Sequence, residues 1–224
     1  LGLVAARLEA TFEDGEHGYP GPEEFLADIG LIAESLEAHR GMRAGLFGVR
    51  RLLRRLRTFG FHMAALDVRQ DARELREVVA EILEDPEWTK RSAQERAERL
   101  RGLLMDGSGA AGREGTPAAG QLDEEHASAR VRATLDVFAA IPEARRRHGG
   151  EAVGSYIISM AQDVDDVLMV MWLAALGGLG SADGLPLDVT PLFETVPDLE
   201  LAEAVLDRLF VDPVVAPHLA RREK

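Results

Sequence analysis

Arg69 and Glu194 are the two side chains in this sequence best suited to binding an anion and a metal ion. Each closes a short apolar run, and side chains at the C-terminal ends of strands carry the chemistry of βα folds. A guanidinium grips phosphate through paired hydrogen bonds, and Mg²⁺ needs few protein carboxylates. Spacing alone favours simpler interpretations, in which Arg69 pairs with Asp67 and Glu194 is an acid at a helix start.

Three other features of the sequence could suggest a functional site, and their sequence context argues against each of them. Asp163, Asp165 and Asp166 could bind a metal, but acids in a first helical turn more commonly cap it. The G-x-G-x-x-G match at residues 107–112 follows a charged amphipathic helix, whereas a dinucleotide site requires a buried strand before it. The six histidines show no helical pair, which argues against a zinc site or a catalytic triad.

Five arginines cover one face of a predicted helix over residues 46–58. They could form a nucleic-acid surface, or a solvated face that pairs with neighbouring acids. The chain has 39 acidic residues and a formal net charge of -13, which favours the second interpretation and no nucleic-acid partner. The arginines are Arg50, Arg51, Arg54, Arg55 and Arg57.

Hydrophobic periodicity predicts a mostly helical α/β protein with three short strands. Because each strand runs into a helix, we expect parallel strands joined by crossovers. The expected fold is one domain over residues 1–224, a partial (β/α)8 TIM-type barrel with a helical lead-in (1–58) and long helical insertions. The strands are predicted near 61–69, 154–160 and 187–194, the helices near 23–39, 46–58, 72–85, 92–105, 123–148, 163–176, 198–210 and 214–222, and a mobile loop at 106–121.

Composition sets limits on the class of protein. There is no cysteine, which excludes a disulfide framework and fits an intracellular setting. The most apolar stretch, residues 164–176, is too short for a membrane span and predicts a buried helix. The sequence opens on Leu1 and closes on a polar run, so we expect an internal segment of a longer protein.

Three segments resemble the phosphoenolpyruvate carboxylase family, in family order and at suitable separations. Residues 59–70, FGFHMAALDVRQ, are similar to its FGF-to-LDIRQ segment. Residues 155–160, SYIISM, are similar to its YVISM segment. Residues 191–195, PLFET, followed by Asp198 and Leu199, are similar to its PLFET-x-x-DL. The resemblance is weak between about residues 86 and 150.

The resemblance implies roles for three residues. Arg69 would bind the phosphate of phosphoenolpyruvate, Glu194 would ligate Mg²⁺ or Mn²⁺, and Leu192 would line an apolar pocket for CO₂. It also implies a lyase that fixes bicarbonate carbon into oxaloacetate, with release of phosphate. Such an enzyme would be cytoplasmic, anaplerotic to the tricarboxylic acid cycle, homotetrameric, and without a membrane partner.

The sequence also departs from the family pattern. Asp71 and Ala72 follow Gln70 where a Ser and then a His are usual, and Pro197 replaces an acid. The TAHPTE, FHGRGG and GYSDS motifs lie outside these residues, so we expect the segment alone to be inactive. Two alternatives stay open: another Mg²⁺-dependent barrel lyase of the malate synthase or citrate lyase kind, and a non-enzymatic helical binding module that uses the arginine helix.

Overall fold

The computed structural model describes residues 1–13, 15–105, 127–180 and 184–222. The predicted mobile loop at 106–121 and the glycine motif at 107–112 lie outside these residues. So does the predicted start of the helix at 123. In the part of the chain that is described, no helix combines the length and the apolarity needed to cross a membrane.

Helices dominate the chain, and the three strands are short, so the predicted mostly helical α/β class is confirmed. The strands are β1 (Leu66–Asp71), β2 (Val153–Ser159) and β3 (Asp188–Pro191). The helices are α1 (Gly2–Phe12), α2 (Pro22–Ala38), α3 (Leu46–Phe59), α4 (Ala72–Ile82), α5 (Ala93–Met105), α6 (Ala129–His148), α7 (Val164–Leu176), α8 (Val196–Phe210) and α9 (Val215–Arg221). Short 3-10 turns lie at Gly41–Arg43 and Trp88–Lys90.

The chain divides into two compact units. The first contains residues 1–66 and 143–153, and the second contains residues 67–142 and 154–224. The predicted helical lead-in at 1–58 falls entirely in the first unit. The three predicted site residues, Arg69, Leu192 and Glu194, all belong to the second unit.

The first unit is built around the apolar faces of α2 and α3. Phe25 and Ile29 from α2 pack with Leu53 and Leu56 from α3 in one buried cluster, which also includes Tyr19. The arginines of α3 lie on its other face. Arg50 pairs with Glu37 at 2.8 Å, which supports the prediction of a solvated face that pairs with acids.

The second unit is built on a three-stranded sheet in the order β1-β2-β3. β2 and β3 are parallel, with Ser155 opposite Asp188 and Ile158 opposite Pro191. Helix α7 is buried along nearly its whole length and contacts α4, α5, α8 and β3. The apolar run that composition singled out is therefore a buried helix, as predicted, and it lies at the centre of this unit.

Strand β1 begins at Leu66, five residues later than the predicted start at residue 61. The residues before it form a tight turn, in which the Met63 N–H donates to the Phe59 carbonyl at 3.0 Å. Gly60 and Met63 both adopt positive φ angles, 52° and 59°. A left-handed backbone cannot continue a strand, so alternation alone placed the start too early.

Strand β3 is also shorter than predicted, since it ends at Pro191 instead of residue 194. The ladder continues for one more hydrogen bond, because the Leu192 N–H donates to the Ile158 carbonyl at 2.9 Å. Glu194 therefore lies on the connection between β3 and α8. A residue on such a connection is free of the alternation that a strand imposes.

Candidate functional site

Arg69 is held at the sheet by a buried residue of the neighbouring strand. Its Nε donates to the Ser159 Oγ at 2.5 Å, although the two residues are 90 positions apart in sequence. Ser159 is the last residue of β2 and is 8% exposed. The Arg69 side chain is 56% exposed, so it is anchored at Nε while much of its surface faces solvent.

Glu194 receives hydrogen bonds on both of its carboxylate oxygens. Its Oε1 accepts from the Nη2 of Arg69, and its Oε2 accepts from the Met160 N–H at 3.3 Å. Met160 has a φ angle of 56°, a left-handed conformation that costs an L-residue roughly 1–2 kcal/mol. This turn directly after β2 directs a backbone donor toward the carboxylate.

The local pairing of Arg69 is wrong, and Glu194 lies directly before the N-cap of α8 without capping it. Arg69 forms its ion pair with Glu194, which is 125 residues away, and not with Asp67. Glu194 does not cap α8, since Thr195 is the N-cap and forms a capping box with Asp198. A guanidinium and a carboxylate from distant parts of the chain therefore meet at one edge of the sheet.

Leu192, the third predicted site residue, lies on the same connection two positions before Glu194. It is partly buried. Its backbone N–H extends the pairing of β3 with β2, which fixes the start of the connection relative to Ser159 and Met160. The position of Glu194 thus depends on a short segment held at both ends, by the sheet and by the cap of α8.

Sequence reasoning did not assign a role to Ser159, Met160 or Gln70. The Tyr156 hydroxyl donates to the Gln70 Oε1, and the Tyr156 ring stacks on Phe138 with centroids 5.0 Å apart. Burial raises the pKa of Tyr156 above its ordinary range, so the hydroxyl stays a donor. No local sequence signal identifies these contacts, because they depend on β1 and β2 being neighbours in the sheet.

The aspartates near the start of α7 are structural groups. Asp163 caps the helix by accepting from the Val164 N–H at 2.7 Å, which confirms the capping interpretation for that residue. Asp165 and Asp166 are buried and form ion pairs, so capping was wrong for Asp165, whereas Asp166 also accepts from the Gln162 N–H at 2.9 Å, just before the helix. The Arg96 Nε lies 2.6 Å from an Asp165 oxygen, and Arg76 contacts both oxygens of Asp166.

Asp165 is a weaker acid than an ordinary aspartate, because its pKa is raised. Burial and the neighbouring charge of Asp166 raise its pKa to about 6, and Arg96 opposes this shift. One oxygen of Asp165 has no hydrogen-bond partner. Because both aspartates are already paired with arginines inside the protein, they are poor candidates for metal ligands.

Glu194 fits a shared metal site, but not a complete one. In residues 1–13, 15–105, 127–180 and 184–222, no group of three or more His, Cys, Asp or Glu side chains is arranged to hold a metal ion. Mg²⁺ is commonly bound by one or two carboxylates together with substrate phosphate and water. A partly exposed carboxylate beside an arginine is compatible with one such ligand.

The geometry defines a class of protein before any comparison. Charged side chains brought together at the C-terminal ends of neighbouring strands are the usual site arrangement of an α/β enzyme. The family model for phosphoenolpyruvate carboxylase matches residues 4–224. The chain belongs to the phosphoenolpyruvate carboxylase family, as the three sequence segments indicated.

Curated relatives carry the same name. The phosphoenolpyruvate carboxylase of Xanthomonas euvesicatoria pv. vesicatoria is 47% identical over 98% of this chain. Those of Azoarcus sp. strain BH72 and Corynebacterium diphtheriae are each 33% identical, over 99% and 91% of the chain. The chain spans 23%, 25% and 22% of these three relatives, so it corresponds to about a quarter of their length.

Proposed function

We propose that this chain supplies the phosphate-binding arginine and one metal-binding carboxylate of a phosphoenolpyruvate carboxylase. The reaction would join bicarbonate carbon to phosphoenolpyruvate, giving oxaloacetate and phosphate. The observation that carries the proposal is the meeting of Arg69 and Glu194 at one sheet edge, across 125 residues of sequence. Family membership supplies the substrate class.

Arg69 has the geometry for a phosphate ligand. Its Nε donates to Ser159 and its Nη2 donates to Glu194, while Nη1 has no hydrogen-bond partner among the described residues, so the outer Nη1–Nη2 edge carries the remaining N–H groups. A guanidinium fixed in this way offers a planar fork that matches two phosphate oxygens. Holding the phosphate there would orient the substrate before bicarbonate attacks it.

Glu194 would hold Mg²⁺ or Mn²⁺ together with ligands from elsewhere in the longer protein and from the substrate. The bound cation supplies Lewis-acid stabilisation of the negative charge that develops on the enolate oxygen. Because Glu194 pairs with Arg69, the protein's own charges are balanced at the point where a cation and an anion would bind together. The Met160 N–H keeps the second carboxylate oxygen oriented.

Leu192 would contribute apolar surface beside these charges. Carbon dioxide is apolar and must be retained while the enolate captures it. A side chain that excludes water favours both the retention of carbon dioxide and its capture by the enolate. The support for this role is the position of Leu192 on the connection that also carries Glu194.

The architecture of the complete protein is part of the same proposal. The three strands would form one arc of a (β/α)8 barrel, whose remaining strands belong to the rest of a longer chain. Such a protein would be a cytoplasmic homotetramer. The 224 residues alone would be inactive, because the family's catalytic histidine, glycine-rich loop and second metal ligand lie outside them.

Replacement of Arg69 in the full-length enzyme tests the proposal. Loss of a charge-assisted hydrogen bond costs about 1.5–3 kcal/mol, so Arg69→Ala should raise the KM for phosphoenolpyruvate roughly ten- to a hundredfold. Arg69→Lys should recover only part of this, because an ammonium lacks the planar fork. Steady-state kinetics at saturating Mg²⁺ and bicarbonate provide the measurement.

Arg99→Ala is the matched control, since it removes an exposed arginine from α5 in the same unit. It should leave the KM unchanged. If Arg69→Ala behaves like Arg99→Ala, Arg69 does not bind the substrate.

A further inference from the structure

We propose that Ser159 is a positioning residue for Arg69, and that its hydroxyl holds the guanidinium in the orientation that binds substrate phosphate. The inference rests on the proposed function and adds a residue to it. Ser159 is buried at the end of β2, and its Oγ accepts from the Arg69 Nε at 2.5 Å. Its role would be exerted through Arg69, without contact with the substrate.

An arginine on an exposed sheet edge needs such an anchor. The long side chain has many rotamers, and fixing it costs about 2 kcal/mol of conformational free energy. A hydrogen bond to Nε from a rigid, buried partner restrains the plane of the guanidinium, while Nη2 pairs with Glu194 and Nη1 keeps its N–H groups free of partners among the described residues. Part of the ordering cost is then met in the folded protein, before substrate binds.

The same strand end orients the partner of Arg69. Residue 160, directly after Ser159, donates its backbone N–H to Glu194 from a left-handed conformation. One turn of backbone therefore holds both members of the ion pair, the guanidinium through the Ser159 side chain and the carboxylate through the Met160 amide. A contact made only for packing would not require a hydroxyl at this position.

The contacts of Ser159 do not suit a nucleophile. Among the described residues, its hydroxyl is hydrogen-bonded only to Arg69, which is a cation and cannot accept the proton. An activated serine needs a neighbouring base. The hydroxyl is placed as an acceptor for the guanidinium.

Replacement of Ser159 in the full-length enzyme tests the inference. Ser159→Ala should raise the KM for phosphoenolpyruvate about five- to tenfold with little change in kcat. This is less than a charge-assisted hydrogen bond usually contributes, because Arg69 is more than half exposed. Ser159→Thr, which keeps the hydroxyl, should stay close to the parent enzyme.

Ser155→Ala is the matched control, because Ser155 lies four residues earlier on the same strand and makes no hydrogen bond to Arg69. It should leave the KM unchanged. In an Arg69→Ala background, Ser159→Ala should add nothing further, since the group that it positions is already gone.

Two results would overturn the inference alone. One is a Ser159→Ala enzyme with the KM of the Ser155→Ala control. The other is a full Ser159→Ala defect that persists in the Arg69→Ala background, which would indicate a general structural role. If Arg69→Ala itself leaves the KM unchanged, the proposed function of Arg69 fails and this inference fails with it.

Discussion

At the scale of single residues, charge balance explains how Glu194 can be presented at an exposed sheet edge. Its carboxylate is satisfied by the Arg69 guanidinium and the Met160 amide, so neither oxygen depends on water alone. A cation at Glu194 must compete with or share these contacts. The charge of the carboxylate is therefore the property to change in a test of metal binding.

Glu194→Gln keeps the size of the side chain and removes its charge. In the full-length enzyme we expect a higher Mg²⁺ requirement and a lower turnover at saturating phosphoenolpyruvate, because a neutral amide is a weaker ligand for a hard cation. Activity titrated against Mg²⁺ measures both effects. Excess metal should partly restore Glu194→Gln and should not restore Arg69→Ala.

Glu200→Gln is the matched control, because Glu200 is exposed on α8 and makes none of these contacts. Its Mg²⁺ dependence should equal that of the parent. An unchanged Mg²⁺ dependence in Glu194→Gln would remove Glu194 from the metal site.

His218 makes the stability of the second unit sensitive to acid. Burial lowers its pKa below the ordinary 6.5, Arg222 and Arg221 lower it further, and Asp188 opposes them. The folded protein then binds fewer protons than the unfolded chain. Stability from this residue is complete above pH 6.5 and is lost as the pH falls through the depressed pKa.

His218→Gln should reduce the loss of stability between pH 7.5 and pH 5, since glutamine does not titrate. Urea unfolding midpoints at the two pH values give the measurement. His148→Gln, which removes an exposed histidine, should retain the parental pH dependence. Equal pH dependence in the parent and His218→Gln would contradict this account.

At the scale of elements, α7 connects the sheet to the surrounding helices, and its end is closely packed. Gly177 follows the helix, and a Cβ added there would lie 2.6 Å from the Phe138 Cβ and 3.2 Å from the Leu135 carbonyl oxygen. Phe138 is fully buried and stacks on Tyr156, so it has little room to move. Gly177 therefore permits the close approach of α6 to the end of α7.

Gly177→Ala should destabilise the protein by about 1–3 kcal/mol, the usual cost of overpacking a buried contact. Its backbone angles suit any residue, so the effect is steric. Gly102→Ala is the control, because nothing lies within 4 Å of a Cβ in that helical position. Thermal unfolding should show a lower midpoint for Gly177→Ala only, and a higher midpoint for both would disprove the packing argument.

At the scale of the whole molecule, the described residues would supply only part of the proposed site. Within the described ranges, Glu194 belongs to no group of three or more His, Cys, Asp or Glu side chains that could hold a metal ion, and the chain spans about a quarter of its relatives. We therefore expect the purified 224-residue polypeptide to form no oxaloacetate from phosphoenolpyruvate and bicarbonate. A coupled assay at high Mg²⁺ measures this, with the 224-residue Glu194→Ala variant as the blank. Turnover above that blank would show that these residues form a working site without the rest of the enzyme.

The sequence by itself determined most of the helices, the α/β class and the family, although α1 (Gly2–Phe12) was not predicted. Helical periodicity and family segments are local properties, so they can be read within windows of about ten residues. The identity of α7 as a buried helix and the choice of Arg69 and Glu194 as site candidates came from this level. Strand boundaries at Leu66 and Pro191 were less accurate, because a positive φ angle or a proline ends a strand without changing its apolar pattern.

Only the tertiary structure decided which charged groups meet. The Arg69–Glu194 ion pair joins residues 125 positions apart in the sequence. The Arg76–Asp166 ion pair and the hydrogen bond from Arg69 to Ser159 each join residues 90 positions apart. Local spacing instead favoured pairing Arg69 with Asp67. Parallel strands bring their C-terminal ends to the same edge regardless of the chain between them, so neighbours at that edge are set by strand order. That order is a property of the folded sheet, and it is why the serine that anchors Arg69 could not be identified from the sequence.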